Sequence, residues 1–176
     1  MPSDSYPLIV QDSNLLIDLN DCGLLATVFT CPWEIHIPDV VLAELQQGPV
    51  AAVLAAHLQQ QAFIVGRLPT EGVAEAAILQ AQQPSLSFAD CSAFVYALRH
   101  GAILLTGDGK LRQFAQAQAQ PVHGTLWVLD QLVDTLQLLA PARAAAALGQ
   151  LLTPGAGRRL PPADCEARLR RWEKPA

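Results

Sequence analysis

The chain is poor in the residues that anchor most metal and redox chemistry. Its four cysteines (Cys22, Cys31, Cys91, Cys165) form no Cys-x-x-Cys pair and keep no regular spacing, which argues against a zinc site or a disulfide framework. Four histidines (His36, His57, His100, His123) likewise form no ligand-spaced pair. Only 6% of residues are aromatic and 15% charged, so the expected core is aliphatic. No apolar run reaches ~18 residues, and no membrane span is expected. The opening MPSDSYPLIVQD lacks a basic segment followed by a long apolar one, so the expected location is the cytoplasm, with reduced thiols.

What is present is a core-forming chain. With 51% hydrophobic residues over 176 positions, it reads as one globular domain with an appended tail. The net charge of −5 argues against a protein that coats nucleic acid by bulk electrostatics. The charge is unevenly spread. Residues 156–176 hold six Lys/Arg (Arg158, Arg159, Arg168, Arg170, Arg171, Lys174) against three acids, a balance of +3 that leaves −8 on the remainder.

Short apolar segments alternate with helical ones. Strands are expected at 6–12, 34–38, 63–68 and 102–108, with a short edge strand at 121–124. Helices are expected at 13–22, 39–47, 50–61, 71–83, 85–101, 110–118 and from 125 to about 139, with further helical pieces at 142–152 and 162–173. That alternation implies right-handed crossovers and an α/β fold of three layers, α/β/α, around a mainly parallel sheet of four to five strands, plus C-terminal helices. The expected division is a core domain at 1–140 and a helical extension at 141–176. In such sheets working groups collect beyond the carboxyl ends of the strands.

Two acids, Asp12 and Asp108, stand at strand ends. Each has a simple structural reading: Asp12 caps the helix that follows, and Asp108, between Gly107 and Gly109, forms a turn in which the glycines permit positive φ. Glu44 lies on the edge of an apolar helical stripe with Val40, and reads either as a boundary residue or as a functional acid. Asp90 has an inward face, with Ala93, Phe94 and Ala97 following it, yet Ser87-x-x-Asp90 also has the pattern of a capping box. If the four stations converge, a cation is needed among the carboxylates. Hard oxygen donors without His or Cys select Mg²⁺ or Mn²⁺. Such ions activate water for phosphoryl displacement.

These blocks resemble the PIN domain, the metal-dependent ribonuclease fold of VapC-type toxins, over about residues 8–140. The matching segments are LIVQDSNLLIDL around Asp12, IPDVVLAEL around Glu44, SFADCSAFVYALRHG around Asp90 and AILLTGDGKLRQFA around Asp108. GTLWVLDQLV after the last core strand resembles a PIN subgroup extended by paired helices. The resemblance implies that Asp12, Glu44, Asp90 and Asp108 hold Mg²⁺ or Mn²⁺ for hydrolysis of RNA phosphodiester bonds. Asn14 and Thr106 are implied as supporting residues, and Lys110 and Arg112 as contacts to RNA. The basic tail is a further candidate contact, set against an ordinary solvated helix face. A cognate antitoxin and a homodimer are the implied protein partners. The chain departs from many relatives after the last aspartate: Gly109, Lys110 and Leu111 stand where some carry a further polar or acidic ligand.

That departure motivates an alternative, a PIN-like RNA- or protein-binding module with weak or no nuclease activity. A phosphoacceptor receiver domain would need paired acids after the first strand and an acceptor after the third. QDS and VGR supply neither.

Overall fold

The computed structural model describes residues 8–46, 48–153 and 160–173. The start of the first expected strand and the basic residues Arg158, Arg159 and Lys174 lie outside the described residues. Five strands form one sheet: β1 (Leu8–Gln11), β2 (Glu34–Pro38), β3 (Ile64–Gly66), β4 (Ile103–Leu105) and β5 (Val122–His123). The order is β3-β2-β1-β4-β5, and every pairing is parallel. Parallel strands require crossovers, which helices supply. These are α1 (Ser13–Asp21), α2 (Leu25–Val28), α3 (Asp39–Glu44), α4 (Val50–Gln59), α5 (Thr70–Gln82), α6 (Phe88–His100), α7 (Gly109–Ala117), α8 (Thr125–Asp130), α9 (Pro141–Leu151) and α10 (Pro162–Trp172).

The central strands read as continuous apolar runs because helices cover the sheet. Ile9, Val10, Ile37, Leu104 and Leu105 are fully buried. α6 packs against β1, β2 and β4 and is itself covered by α5. This explains why nearly every residue from Ala89 to Ala97 is buried, both small and large. Gly101 then ends α6 in the left-handed conformation, at φ +60°.

The chain reverses direction between β1 and its two neighbours. From β1 it proceeds to β2 and β3 on one side, then returns to place β4 and β5 on the other. β1 and β4 therefore flank the switch point, where the carboxyl ends of strands in open α/β sheets leave a crevice. The register pairs Gln11 with Leu105, and the Asp12 amide extends the ladder by donating to the Leu105 carbonyl at 3.1 Å.

Two expectations need correction. The apolar stretch from 125 is not one helix: α8 ends at Asp130 and passes into a π-helical turn, Gln131–Thr135. The Leu132 carbonyl then accepts from the amides of Leu138 and Leu139, a closure that apolar spacing does not signal. The short helix α2 was not anticipated, since four residues are too few for a period to show.

α9 is tied to α1 by the Arg143 guanidinium, which donates to the Cys22 carbonyl at 2.6 Å. α10 is fastened by Asp130: Arg168 donates to it from Nε at 3.0 Å, and Arg171 at 2.6 Å while also reaching Asp134 at 2.9 Å. Asp130 and Arg168 are about four-fifths buried, so this clasp is shielded from solvent. Asp130→Ala is expected to destabilise the chain by about 1–3 kcal/mol. Hydrogen exchange should show the loss concentrated in 162–172, and unchanged protection there would mean the clasp is dispensable.

Candidate active site

Three helices begin at the carboxyl end of the sheet, each with an acid at its start. Asp12 is the N-cap of α1 and accepts from the Leu15 amide at 2.9 Å. Asp90 closes a capping box at the start of α6: it accepts from the Ser87 amide at 2.8 Å, and its own amide donates to the Ser87 hydroxyl oxygen at 3.0 Å. Asp108 caps α7, accepting from the Lys110 and Leu111 amides at 2.6 and 2.9 Å. Unpaired amides at helix starts carry partial positive charge, which suits three carboxylates in one region. All three acids therefore serve helix starts at the same end of the sheet.

Thr106 links two of them. Its buried hydroxyl donates to Asp12 Oδ2 in a short bond and accepts from the Asp108 amide at 2.9 Å. Asp12 is 1% exposed, and burial pushes its carboxyl up from 3.8 to about 7. The Thr106 hydroxyl and the Leu15 and Gly107 amides oppose that shift, whereas the charge of Asp90 adds to it. Asp90 thus stands close enough to Asp12 for the two carboxylates to repel. Glu44, the last residue of α3, reaches the group indirectly: Ser13, the neighbour of Asp12, donates to Glu44 Oε2 at 3.1 Å.

Neither glycine around Asp108 has a positive φ, which corrects the expected reason for them. Gly107 instead sits in a crowded turn, where any side chain would make its neighbours shift. A Cβ there would stand 3.1 Å from Asn14 Cβ and 3.3 Å from Asp18 Oδ2. Asp18 and Thr125 were missed by sequence reasoning. They form a buried pair at 3.1 Å behind Gly107, and the one visible signal was the inward position of Asp18, six residues after Asp12 on α1. Gln11 was also missed: it is fully buried beside Asp12, and neither amide atom has a partner among the described residues.

The other expected contacts differ in placement, Asn14 lying beside Gly107. Asn14 is exposed. Lys110 and Arg112, two residues apart, line clefts on different sides of α7. Arg168 and Arg171 are engaged by Asp130, and exposed Arg170 lies 3.6 Å from Glu166.

The donor chemistry suits a hard divalent cation: every acid is a carboxylate, and a buried one with a like-charged neighbour gains from a cation. Among the described residues, no three acids, histidines or cysteines converge closely enough to hold one as the side chains stand, because Asp12, Asp90 and Asp108 are turned onto helix amides.

The PIN domain family model (DUF3368) matches residues 8–174, and the chain belongs to that family. No curated protein matches it by sequence. Among solved structures, PAE2754 from Pyrobaculum aerophilum is 18% identical, over 74% of this chain and 94% of that one, with a TM-score of 0.52, which shows a shared fold. VapBC2 from Rickettsia felis, solved bound to a DNA fragment from their promoter, is 18% identical over 66% of this chain and 98% of that one, with a TM-score of 0.45. VapBC-1 from nontypeable Haemophilus influenzae is also 18% identical, over 66% and 97%, with a TM-score of 0.45. No described helix is long and apolar enough to cross a membrane.

Two outcomes are expected in metal-free buffer. Because the folded carboxyl of Asp12 titrates near 7 and the unfolded one near 3.8, the native state holds the extra proton between those values. This group's contribution to stability is therefore largest in acid and is lost as pH rises towards 7. Denaturant unfolding from pH 4.5 to 8 should show a decline that Asp12→Asn flattens. Thr106→Val removes the donor to Asp12 and the acceptor for Asp108, and should cost about 1–3 kcal/mol. A neutral result would mean that the bridge carries no stability.

Proposed function

We propose that this protein is a Mg²⁺- or Mn²⁺-dependent endoribonuclease that hydrolyses RNA phosphodiester bonds, the toxin half of a toxin–antitoxin pair. The observation that carries the reading is the buried Asp12 carboxylate at the β1/β4 switch point, with Thr106 joining it to Asp108 and Asp90 near enough to perturb it. Membership of a family that generally comprises nucleases supports the same reading.

In this proposal Asp12, Glu44, Asp90 and Asp108 hold the cation. A bound Mg²⁺ or Mn²⁺ supplies an acidified water and positive charge for phosphate oxygens. The chain's own groups set the conditions. Asp12 must lose its proton to act as a donor, so cation affinity rises with pH. Thr106 holds Asp12 Oδ2 in one orientation, and Ser13 does the same for Glu44 Oε2. Asn14 offers an exposed amide for orienting a ligand. Arg112 and Lys110, following Asp108 on α7, meet the phosphates on either side. A cognate antitoxin and a second copy of the chain are proposed as partners on the family resemblance.

A second reading, a PIN-fold binding module with little or no nuclease activity, is favoured by one observation: the acids are turned onto helix amides rather than towards one point. Asp108→Asn decides between them. Asparagine still caps a helix, so the fold should persist. Cleavage of RNA in Mn²⁺ should fall by at least a hundredfold, and thermal stabilisation by Mn²⁺ should shrink. A mutant as active as the parent would return Asp108 to a capping role, and a parent that neither cleaves RNA nor is stabilised by Mn²⁺ would favour the binding module.

A further inference from the structure

Two of the chain's three tryptophans lie outside the deep core and stack at one place. Trp127 of α8 lies face to face with His123 of β5, with ring centroids 4.4 Å apart and an angle of 4° between planes. Trp33, in the lead-in to β2, stacks on Trp127 at 5.7 Å and 23°. All three rings are half-buried. Trp33 and Trp127 pack against the edge of the core, which leaves part of each ring facing outward beside His123.

His123 and Trp127 line a cleft of about 210 Å³ that also takes in Arg112, Gly124 and Arg168. This is smaller than the roughly 300 Å³ at which pockets for whole small molecules begin. It suits one ring of a larger ligand. Arg168 is committed to Asp130, whereas the guanidinium of Arg112 forms no ion pair or hydrogen bond with any described residue. Arg112 also crosses Gly124 closely: a Cβ there would stand 2.7 Å from Arg112 Nη1. The guanidinium thus lies over the Gly124 backbone, along the cleft. The ring nitrogens of His123 have no partner among the described residues either, and burial lowers its basicity, leaving one donor and one acceptor on the ring edge.

The cleft adjoins the acids. The Thr106 amide donates to the His123 carbonyl at 2.9 Å, and the Arg112 amide donates to the Asp108 carbonyl at 3.0 Å. An aromatic face and an unpaired arginine beside a phosphodiester-cleaving centre form a platform for an unpaired base and its phosphate. A base within a duplex is stacked on both faces and cannot use it. Resting on the nuclease reading above, we infer that His123, Trp127 and Arg112 form a stacking subsite for an unpaired base of the RNA, seated on the outer face of His123 at the end of the ladder that Trp127 supports, with its phosphate on Arg112.

The test is a fluorescence titration of the full chain in EDTA, which permits binding without cleavage. A roughly 10-nucleotide single-stranded RNA is compared with the same strand in a duplex. The single strand should quench tryptophan emission and bind more tightly than the duplex. His123→Ala should weaken it about tenfold, and His123→Phe, which keeps a stacking ring, should restore most of the loss. Arg112→Gln should lower the salt slope by about one. Equal binding of both RNAs, or single-strand binding unchanged in both His123→Ala and Arg112→Gln, would overturn the subsite. Should His123→Ala fail to fold, His123→Phe and Arg112→Gln still decide, binding with loss only in Arg112→Gln supporting the site. Mn²⁺ thermal shifts and cleavage read the carboxylates separately. If they stand while binding ignores His123 and Arg112, the subsite alone falls. If they fail while His123-dependent binding persists, the nuclease reading falls and the subsite remains as that of a binding module.

Discussion

The bond from the Thr106 hydroxyl to the Asp12 carboxylate is the constraint around which this end of the sheet is arranged. It crosses the boundary between β1 and β4, where the chain changes direction through the sheet. A carboxylate buried at that boundary is costly unless it is bonded on several sides. Thr106, Leu15 and Gly107 provide those bonds. By also accepting from the Asp108 amide, the same hydroxyl sets where α7 begins, and with it the path of Arg112. A side chain two atoms long thus connects a strand, a turn and the start of a helix.

The acids show how one sequence position serves two needs. Helix amides attract carboxylates for the reason a cation does, so a cap is also a place to store negative charge. The cost appears where solvent is excluded. Asp12 is fully enclosed and its charged form is penalised, whereas Asp108, half-buried and bonded by two amides, keeps one oxygen without a partner among the described residues. The enclosed acid is therefore the group through which acidity reaches the candidate centre.

Much of this was legible in the sequence, because the strong signals were local. Strand-length apolar runs ending at Asp12 and before Asp108 marked the parallel sheet, and Gly101 marked the end of α6. Ser87-x-x-Asp90 named its own capping box. What depended on contacts between distant segments was not legible. The strand order that brings β4 beside β1, the Ser13–Glu44 bond across 31 positions and the Asp18–Thr125 pair across 107 leave no periodic trace. The glycines of GDG were visible, but the reason for Gly107 was not. The crowding by Asn14 and Asp18 exists only once α1 lies over the turn. The same is true of the aromatic ladder, whose members come from positions 33, 123 and 127.

The outer strands of the sheet are short: β3 has three residues and β5 has two. A row of unpaired amides and carbonyls invites another chain to add a strand, and brevity withholds that invitation. A second copy of this protein, or any extended peptide, gains little by continuing the sheet. A partner would instead have to read side chains on the helices, where a few substitutions change the surface without touching the strands that precede Asp12 and Asp108.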